Sequence, residues 1–259
     1  MKVALIQMDI ALGRPDLNRE RAAAFVRQAA ATGAELILLP EMFTTGYCLP
    51  ELAGGHADRA GEPTGALLAA LARETGAYIG GSVADEREGK VYNRAVVYSP
   101  EGERIAVYDK AHLVPMMQEE RYLAPGDRLT LADLGGVKAG LAICYDLRFP
   151  ELFRSLTLAG AELFIIPSEW PAQRLHHWRT LAMARAIENQ CYVLACNRVG
   201  ADLANRFPGH SLVIDPFGAV LAEGGEGEEI ITAEIDLAQV ADVRARIPSL
   251  RDRRPDLYR

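Results

Sequence analysis

Short apolar runs of strand length alternate along the chain with longer stretches whose apolar residues recur at helical spacing. The first run, KVALIQMD at 2–9, is followed by a helical stretch from Asp16 to about Thr32, and Gly33 is typical of a helix C-cap. The run ELILLP at 35–40 is apolar after its first residue. Further strands are predicted at 77–84, 91–99, 104–110, 137–143, 161–167, 191–197, 211–215, 219–222 and 228–236, and further helices at 64–75, from near Pro150, at 172–189 and at 237–246.

This alternation predicts an α/β fold. Strands that are apolar on both faces need cover on both sides, so the helices should flank a sheet or a pair of sheets. The chain has no internal repeat, low-complexity segment or Pro/Gly/Ser-rich linker, which indicates a single domain over residues 1–259. A loop of more than twenty residues separates the strands at 104–110 and 137–143, and a loop of that length inside a compact domain is usually functional.

Composition and charge exclude several classes of partner. The chain is 49% hydrophobic and 24% charged, with a formal net charge of -7, so it lacks the clustered basic face that nucleic acids or anionic membranes require. Only the stretch from Arg244 to Arg259 is Arg-rich, and we interpret the tail at 246–259 as solvated or at a subunit contact. No apolar run approaches the length of a membrane span, and no signal-peptide cleavage site follows the first residues. The sequence therefore predicts a cytoplasmic protein.

The cysteines and histidines do not have the spacing of a disulfide framework or a metal site. Four cysteines, at 48, 144, 191 and 196, form no CxxC pair, and the five histidines have no HExxH spacing. We therefore expect free thiols, no metal and no cofactor.

Cys144 is the first candidate for chemistry. It lies in GLAICYDLRFPEL, where an apolar strand ends at the thiol and a helix is predicted a few residues later. Such a strand–turn–helix arrangement exposes a nucleophile and leaves the next N–H, that of Tyr145, free for an oxyanion. The positive end of the following helix should favour thiolate. The alternative is an inert, buried small side chain.

A carboxylate and a cation also follow predicted strands. Glu41 comes directly after the strand in LILLPEMF, and Lys110 closes the strand in IAVYDKAHL. Taken singly, each is typical of a solvated charge. Together with Cys144, they supply the base, charge stabiliser and nucleophile that acyl transfer through a thioester needs.

The segments LLPEMF, YDKAHL and GLAICYDLRFPEL resemble the signature segments of the nitrilase (carbon-nitrogen hydrolase) superfamily, and the similarity runs nearly end to end. The resemblance implies a Glu41–Lys110–Cys144 triad. It also implies a four-layer αββα sandwich with two mixed sheets flanked by helices, and a homodimer or higher homo-oligomer. It further implies that Glu119, rather than Glu120, is a second acid that hydrogen-bonds Lys110; the alternative is a plain loop carboxylate.

Several segments, including PSEWPAQRLHHW and ARAIENQCYVLACNRVG, resemble the omega-amidase branch, which deamidates 2-oxoglutaramate and 2-oxosuccinamate. The resemblance implies a small amide substrate and water as reactants. A substrate carboxylate requires a pocket cation, and Arg148, Arg174 and Arg198 are candidates. Arg148 could instead pair with Glu151. Other candidate pocket residues are Trp170, which could equally be plain packing, and Tyr47, Phe43 and Asn197.

One residue conflicts with an anionic substrate. Glu169 would repel it unless its side chain points away or pairs with an arginine. Alternative functions are hydrolysis of an N-carbamoyl compound, a nitrile or an aliphatic amide, a non-catalytic binding role, and redox sensing through Cys144 with Cys191 or Cys196.

Overall fold

The structure, a computed structural model, describes residues 1–257, so the last two residues of the tail at 246–259 lie outside the described part. The described residues form fifteen strands. These are β1 (Lys2–Gln7), β2 (Leu36–Leu38), β3 (Asp58–Arg59), β4 (Tyr78–Arg87), β5 (Lys90–Tyr98), β6 (Arg104–Asp109), β7 (Leu131–Asp133), β8 (Lys138–Leu141), β9 (Leu163–Ser168), β10 (Tyr192–Asn197), β11 (Val199–Ala201), β12 (Arg206–Pro208), β13 (Leu212–Ile214), β14 (Val220–Glu223) and β15 (Glu229–Glu234).

The helices lie between the strands, as the periodicity predicts. They are α1 (Pro15–Ala31), α2 (Leu49–Glu51), α3 (Thr64–Thr75), α4 (Pro150–Leu158), α5 (Leu175–Asn189) and α6 (Ala238–Arg246), with a π-helical turn at Leu52–His56 and 3₁₀ turns at Pro115–Met117, Glu119–Arg121, Cys144–Arg148 and Ala172–Arg174. Proline at the start of α1 and of α4 fits the fixed backbone angle of a first helical position.

Two large mixed sheets carry the fold. The first has the strand order β15-β1-β2-β4-β5-β6, with β3 paired to β4, and the second has the order β14-β13-β10-β9-β8-β7. In the first sheet β1, β2 and β4 run parallel; in the second, β8, β9 and β10 do. A small hairpin-like pair, β11 with β12, stands apart from both.

The two sheets pack face to face, and helices cover their outer faces. Strand β1 shows why: Val3 and Leu5 point into a core shared with the second sheet, whereas Ala4 and Ile6 point into a separate core beneath α1 and α3. Apolar residues of α4 and α5 pack on the second sheet. The result is the predicted four-layer αββα sandwich, with the carboxyl ends of the parallel strands gathered near one another.

The structure adds elements that the periodicity did not predict. The long loop after Lys110 contains two 3₁₀ turns and the short strand β7, and the helix predicted from 172 begins with a 3₁₀ turn. These pieces are only three residues long, which is too short to produce a recognisable period.

Candidate active site

Cys144 lies on a strained turn at the end of β8. Its φ is +43°, in the left-handed region that residues with a Cβ rarely adopt, and it begins the 3₁₀ turn Cys144–Arg148. The Tyr145 N–H, in the second position of the turn, has no backbone or side-chain acceptor within residues 1–257. This is the turn geometry that the sequence predicts for a nucleophile.

Glu41 follows β2, and it is fully buried. Its Oε1 accepts hydrogen bonds from Lys110 Nζ at 3.0 Å, Tyr47 Oη at 2.7 Å and Asn93 Nδ2 at 2.7 Å, and its Oε2 accepts from the Glu169 N–H at 2.7 Å. A buried carboxylate is tolerated only when donors surround it. The solvated-loop alternative for Glu41 is therefore excluded.

Lys110 follows β6, and it too is fully buried. Its ammonium donates to Glu41 Oε1 at 3.0 Å, Tyr47 Oη at 3.0 Å and Glu119 Oε1 at 2.8 Å. Glu119 is buried as well, and its Oε2 accepts the Val114 N–H at 2.9 Å, whereas Glu120 is exposed. Four groups, two from the segment after β2 and two from the segment after β6, thus form one buried polar cluster.

The Cys144 thiol belongs to the same cluster. Burial and the neighbouring Glu41 carboxylate raise the pKa of Cys144, and Lys110 opposes that rise only in part. The expectation that the helix end favours a resting thiolate is therefore wrong, because desolvation dominates. Burial lowers the pKa of Lys110, but Glu41 and Glu119 outweigh it and keep the lysine charged.

Asp146 ties the Cys144 turn to the segment after β6. Its Oδ2 accepts from Tyr108 Oη at 2.7 Å and from the Ile143 N–H at 2.9 Å, and its Oδ1 accepts the His112 N–H at 3.1 Å and lies 2.7 Å from His112 Nδ1. The His112 ring also stacks on a neighbouring phenylalanine. His112 therefore helps hold the turn.

A small cavity lies above the thiol. It encloses about 20 Å³ and is lined by Cys144, Tyr145, Arg148, Glu169, Trp170 and Arg174, among others. Arg148 stacks over Trp170 at 4.7 Å and over Tyr145 at 5.8 Å, and neither it nor Arg174 has a carboxylate partner in the described chain. Burial and then the nearby Arg174 charge lower the pKa of Arg148. The alternative pairing of Arg148 with Glu151 is not formed.

A wider cavity of about 390 Å³ adjoins the small one. Tyr47 lines it, and Met116, Met117 and Arg174 line both cavities. The 3₁₀ turn Pro115–Met117 thus separates the wider, more open space from the thiol.

Glu169 pairs with an arginine, which removes the conflict with an anionic substrate. Arg198 donates to Glu169 Oε2 at 3.0 Å, and it also donates to Asp9 Oδ1 at 2.8 Å and to the Ile10 carbonyl at 2.9 Å. Burial raises the pKa of Glu169 to about 8, although Arg198 opposes the rise. Because Arg198 is fully buried in these contacts, it is not available to a substrate, and the expectation that it is a candidate there is wrong.

Two further candidate pocket residues lie behind the cavity wall. Phe43 is buried in the core beneath α1 and α3. Asn197 is buried at the end of β10, where its Oδ1 accepts the Trp170 N–H at 2.7 Å and its Nδ2 donates to the Trp170 carbonyl at 3.2 Å. The structure therefore places Asn197 against the backbone of Trp170, and Phe43 in the packing of the first sheet.

Sequence reasoning missed Asn93 and Asp146. Asn93 interrupts the apolar strand β5, and Ser82 of β4 donates to its Oδ1 at 2.9 Å and so fixes the amide toward Glu41. Two signals in the sequence point to them. Asn93 is a polar residue inside an otherwise apolar strand, and Asp146 is an aspartate two residues after the thiol.

The described residues provide no group of three or more His, Cys, Asp or Glu side chains arranged to hold a metal ion. None of the helices within residues 1–257 is long and apolar enough to cross a bilayer. All four cysteines are buried and free.

Comparison with known proteins places this geometry in a family. The model of the Carbon-nitrogen hydrolase family matches residues 2–245. The chain is 45% identical over 257 residues to the 2-oxoglutaramate amidase of Bacillus subtilis, covering 99% of this chain and 98% of that protein, and 37% identical over 274 residues to human omega-amidase NIT2, covering 99% and 96%. A crystal structure of a CN-hydrolase superfamily protein from Xanthomonas campestris superposes with a TM-score of 0.92 at 33% identity, covering 98% of this chain and 97% of that one.

The chain belongs to the carbon-nitrogen hydrolase family. It is accordingly a hydrolase that acts on carbon–nitrogen bonds.

Proposed function

We propose that the protein is a thiol-dependent amidase that hydrolyses the omega-amide of a small 2-oxo dicarboxylic acid, 2-oxoglutaramate or 2-oxosuccinamate, to the acid and ammonia. The observation that carries the proposal is the meeting of Glu41, Lys110 and Glu119 in one buried cluster beside Cys144, near two arginines that have no carboxylate partner in the described chain. The names of the relatives from Bacillus subtilis and from human support the same substrate class.

In the proposed reaction, Glu41 takes the Cys144 proton as the sulfur attacks the amide carbon. A resting thiol suits this step, because the base acts only when the electrophile is in place. The positive charge of Lys110 and the Tyr145 N–H stabilise the oxyanion of the tetrahedral intermediate. Protonated Glu41 then gives its proton to the departing ammonia, and the thioester is hydrolysed by a water that the same carboxylate activates. Glu119 holds the Lys110 ammonium through the 2.8 Å hydrogen bond.

Arg148 and Arg174 supply the cationic end of the proposed substrate site. Two cations without carboxylate partners, one of them stacked on Trp170, suit a ligand that carries a carboxylate at one end and an amide at the other. Trp170 forms the wall between that end and the thiol. Phe43 and Asn197 act indirectly, by fixing the packing and the backbone on which the cavity is built.

Ammonia release from a panel of substrates tests the proposal. 2-Oxoglutaramate and 2-oxosuccinamate should be hydrolysed with a higher kcat/KM than glutamine, asparagine, butyramide, a simple nitrile or an N-carbamoyl amino acid. If butyramide or the nitrile is the better substrate, the specificity proposal fails while the family chemistry stands. If Cys144→Ala retains full activity on every substrate, the proposed mechanism fails as well.

We also propose that residues 1–259 act as one cytoplasmic domain that forms a homodimer. Four buried, free thiols suit a reducing compartment. The exposed arginines of the tail suit a subunit contact. Sedimentation of the purified protein tests the dimer.

A further inference from the structure

Tyr47 contacts every charged group of the buried cluster. Its hydroxyl lies 2.7 Å from Glu41 Oε1, 2.7 Å from Glu119 Oε1 and 3.0 Å from Lys110 Nζ. The turn after Glu41 brings it there: Gly46, with a left-handed φ of +59°, donates its N–H to the Met42 carbonyl at 2.8 Å. A residue six positions from Glu41 is thereby folded back onto the same carboxylate.

The number of protons in the cluster does not match the number of contacts. The three ammonium protons of Lys110 satisfy its contacts with Glu41, Glu119 and the Tyr47 oxygen. The single phenolic proton can serve only one of the two carboxylates that lie 2.7 Å from the hydroxyl. Two unprotonated oxygens at that distance would repel each other, so the row Glu41 Oε1–Tyr47 Oη–Glu119 Oε1 requires one additional proton.

The charges lead to the same conclusion. Glu41, Glu119 and Lys110 are all fully buried, and with both acids ionised they would carry a net charge of -1 away from water. One additional proton makes the set neutral. The titratable groups that face Tyr47 are Glu41, Glu119, Lys110 and Cys144, and burial together with the two carboxylates raises the pKa of Tyr47, which keeps it a phenol.

We propose that Tyr47 is a positioning residue that relays this proton between the two acids, so that Glu41 is the ionised one when Cys144 attacks. In the relay, the proton on Glu41 Oε1 moves to the Tyr47 oxygen as the phenolic proton moves to Glu119 Oε1. Tyr47 stays neutral, Glu41 becomes a carboxylate and Glu119 becomes an acid, so protons and charge balance.

This relay also gives Glu119 a task beyond holding Lys110, because it stores the proton that would otherwise block the base. Apart from Tyr47, whose one proton serves one acid at a time, three donors reach Glu41, from Lys110, Asn93 and the Glu169 N–H, whereas two reach Glu119. The larger number of donors favours the ionised form at Glu41. The inference rests on the proposed roles of Glu41 and Cys144.

The rate at which iodoacetamide alkylates Cys144 tests the relay without any substrate. The rate is measured by mass spectrometry against pH in the wild type, in Tyr47→Phe, and in Tyr192→Phe as the matched control. Tyr192 also carries a buried hydroxyl, bonded to the Asp236 carbonyl at 3.0 Å, but far along the chain from the cluster. Site-specific 3-fluorotyrosine at position 47 serves as a second variant that preserves the ring shape and makes the phenol a stronger donor.

In Tyr47→Phe the acidic limb of the alkylation profile should move to higher pH by about one unit, because the carboxylate of Glu41 loses a donor and its relay. The fluorotyrosine variant should move it to lower pH, and Tyr192→Phe should leave it unchanged. A profile that keeps its midpoint in both position-47 variants overturns the relay, even if the rates fall. A wild-type Cys144 that is neither alkylated nor active at any pH overturns the proposed function itself.

Discussion

Replacing Lys110 with methionine distinguishes what the cluster contributes to the stability of the fold from what it contributes to catalysis. The ammonium lies 3.0 Å from Glu41 and 2.8 Å from Glu119, with all three side chains fully buried. At an effective dielectric constant of about 20, an ion pair at either distance attracts by about 5 to 6 kcal/mol before the cost of desolvation. Removing one partner of a buried ion pair typically costs about 3 to 5 kcal/mol, and we expect that loss in the free energy of unfolding.

The same substitution removes a proposed oxyanion stabiliser, so kcat should fall by a further hundredfold or more, about the effect of losing one oxyanion donor. Urea unfolding and ammonia release measure the two effects separately. In the double variant Lys110→Met/Glu119→Gln, one of the two buried acids that shared the ammonium is gone, so part of the stability, at least about 1 kcal/mol, should return while activity does not. The control is Lys138→Met, which removes an exposed lysine. The reasoning is refuted if Lys110→Met unfolds within 1 kcal/mol of the wild type, or if the double variant regains activity.

Three further predictions concern the thiol, the specificity and the backbone of the site. In Glu41→Gln, Cys144 should be alkylated only at alkaline pH, because burial raises the pKa of the thiol and no base remains to deprotonate it at neutral pH; undiminished labelling at pH 7 would contradict this. Arg148→Ala should raise KM for 2-oxoglutaramate at least about tenfold and leave that for butyramide unchanged, and equal changes for both would exclude a carboxylate contact. Gly46→Ala should lower the free energy of unfolding by about 1 kcal/mol or more, since φ is +59° and the new methyl would meet Leu12 Cδ1 at 3.3 Å; thermal unfolding checks this.

The parts of the fold that the sequence predicts are those with a local period. The run KVALIQ alternates between two cores, and 36–38 is buried throughout, so both read as strands. The turn at Cys144 is also predicted from a local signal, because a strand, a thiol and a proline follow one another within a few residues. Strand ends favoured the combination of Glu41, Lys110 and Cys144, whereas Glu119 came from the resemblance to a family and not from any periodicity.

What the sequence did not reveal depends on contacts between distant segments. Arg198 seemed free for a substrate because its partner Asp9 lies 189 positions away. Asn93 looked like one more residue of an apolar strand until Ser82 and Glu41 were seen on either side of its amide. The neutral resting thiol was missed because the helix end is visible in sequence, whereas the depth of burial, which raises the pKa, is a property of the folded chain.

Trapping the covalent intermediate tests the account most directly. The wild-type protein is mixed with 2-oxoglutaramate and quenched with acid within milliseconds to seconds, and intact mass and peptide mapping follow, with Cys144→Ala as the control. The account predicts an acyl adduct, lighter than the whole amide by one ammonia, on Cys144 and on none of the other three cysteines. Steady release of ammonia with no acylated Cys144 at any quench time, and equal release by the Cys144→Ala protein, would contradict it.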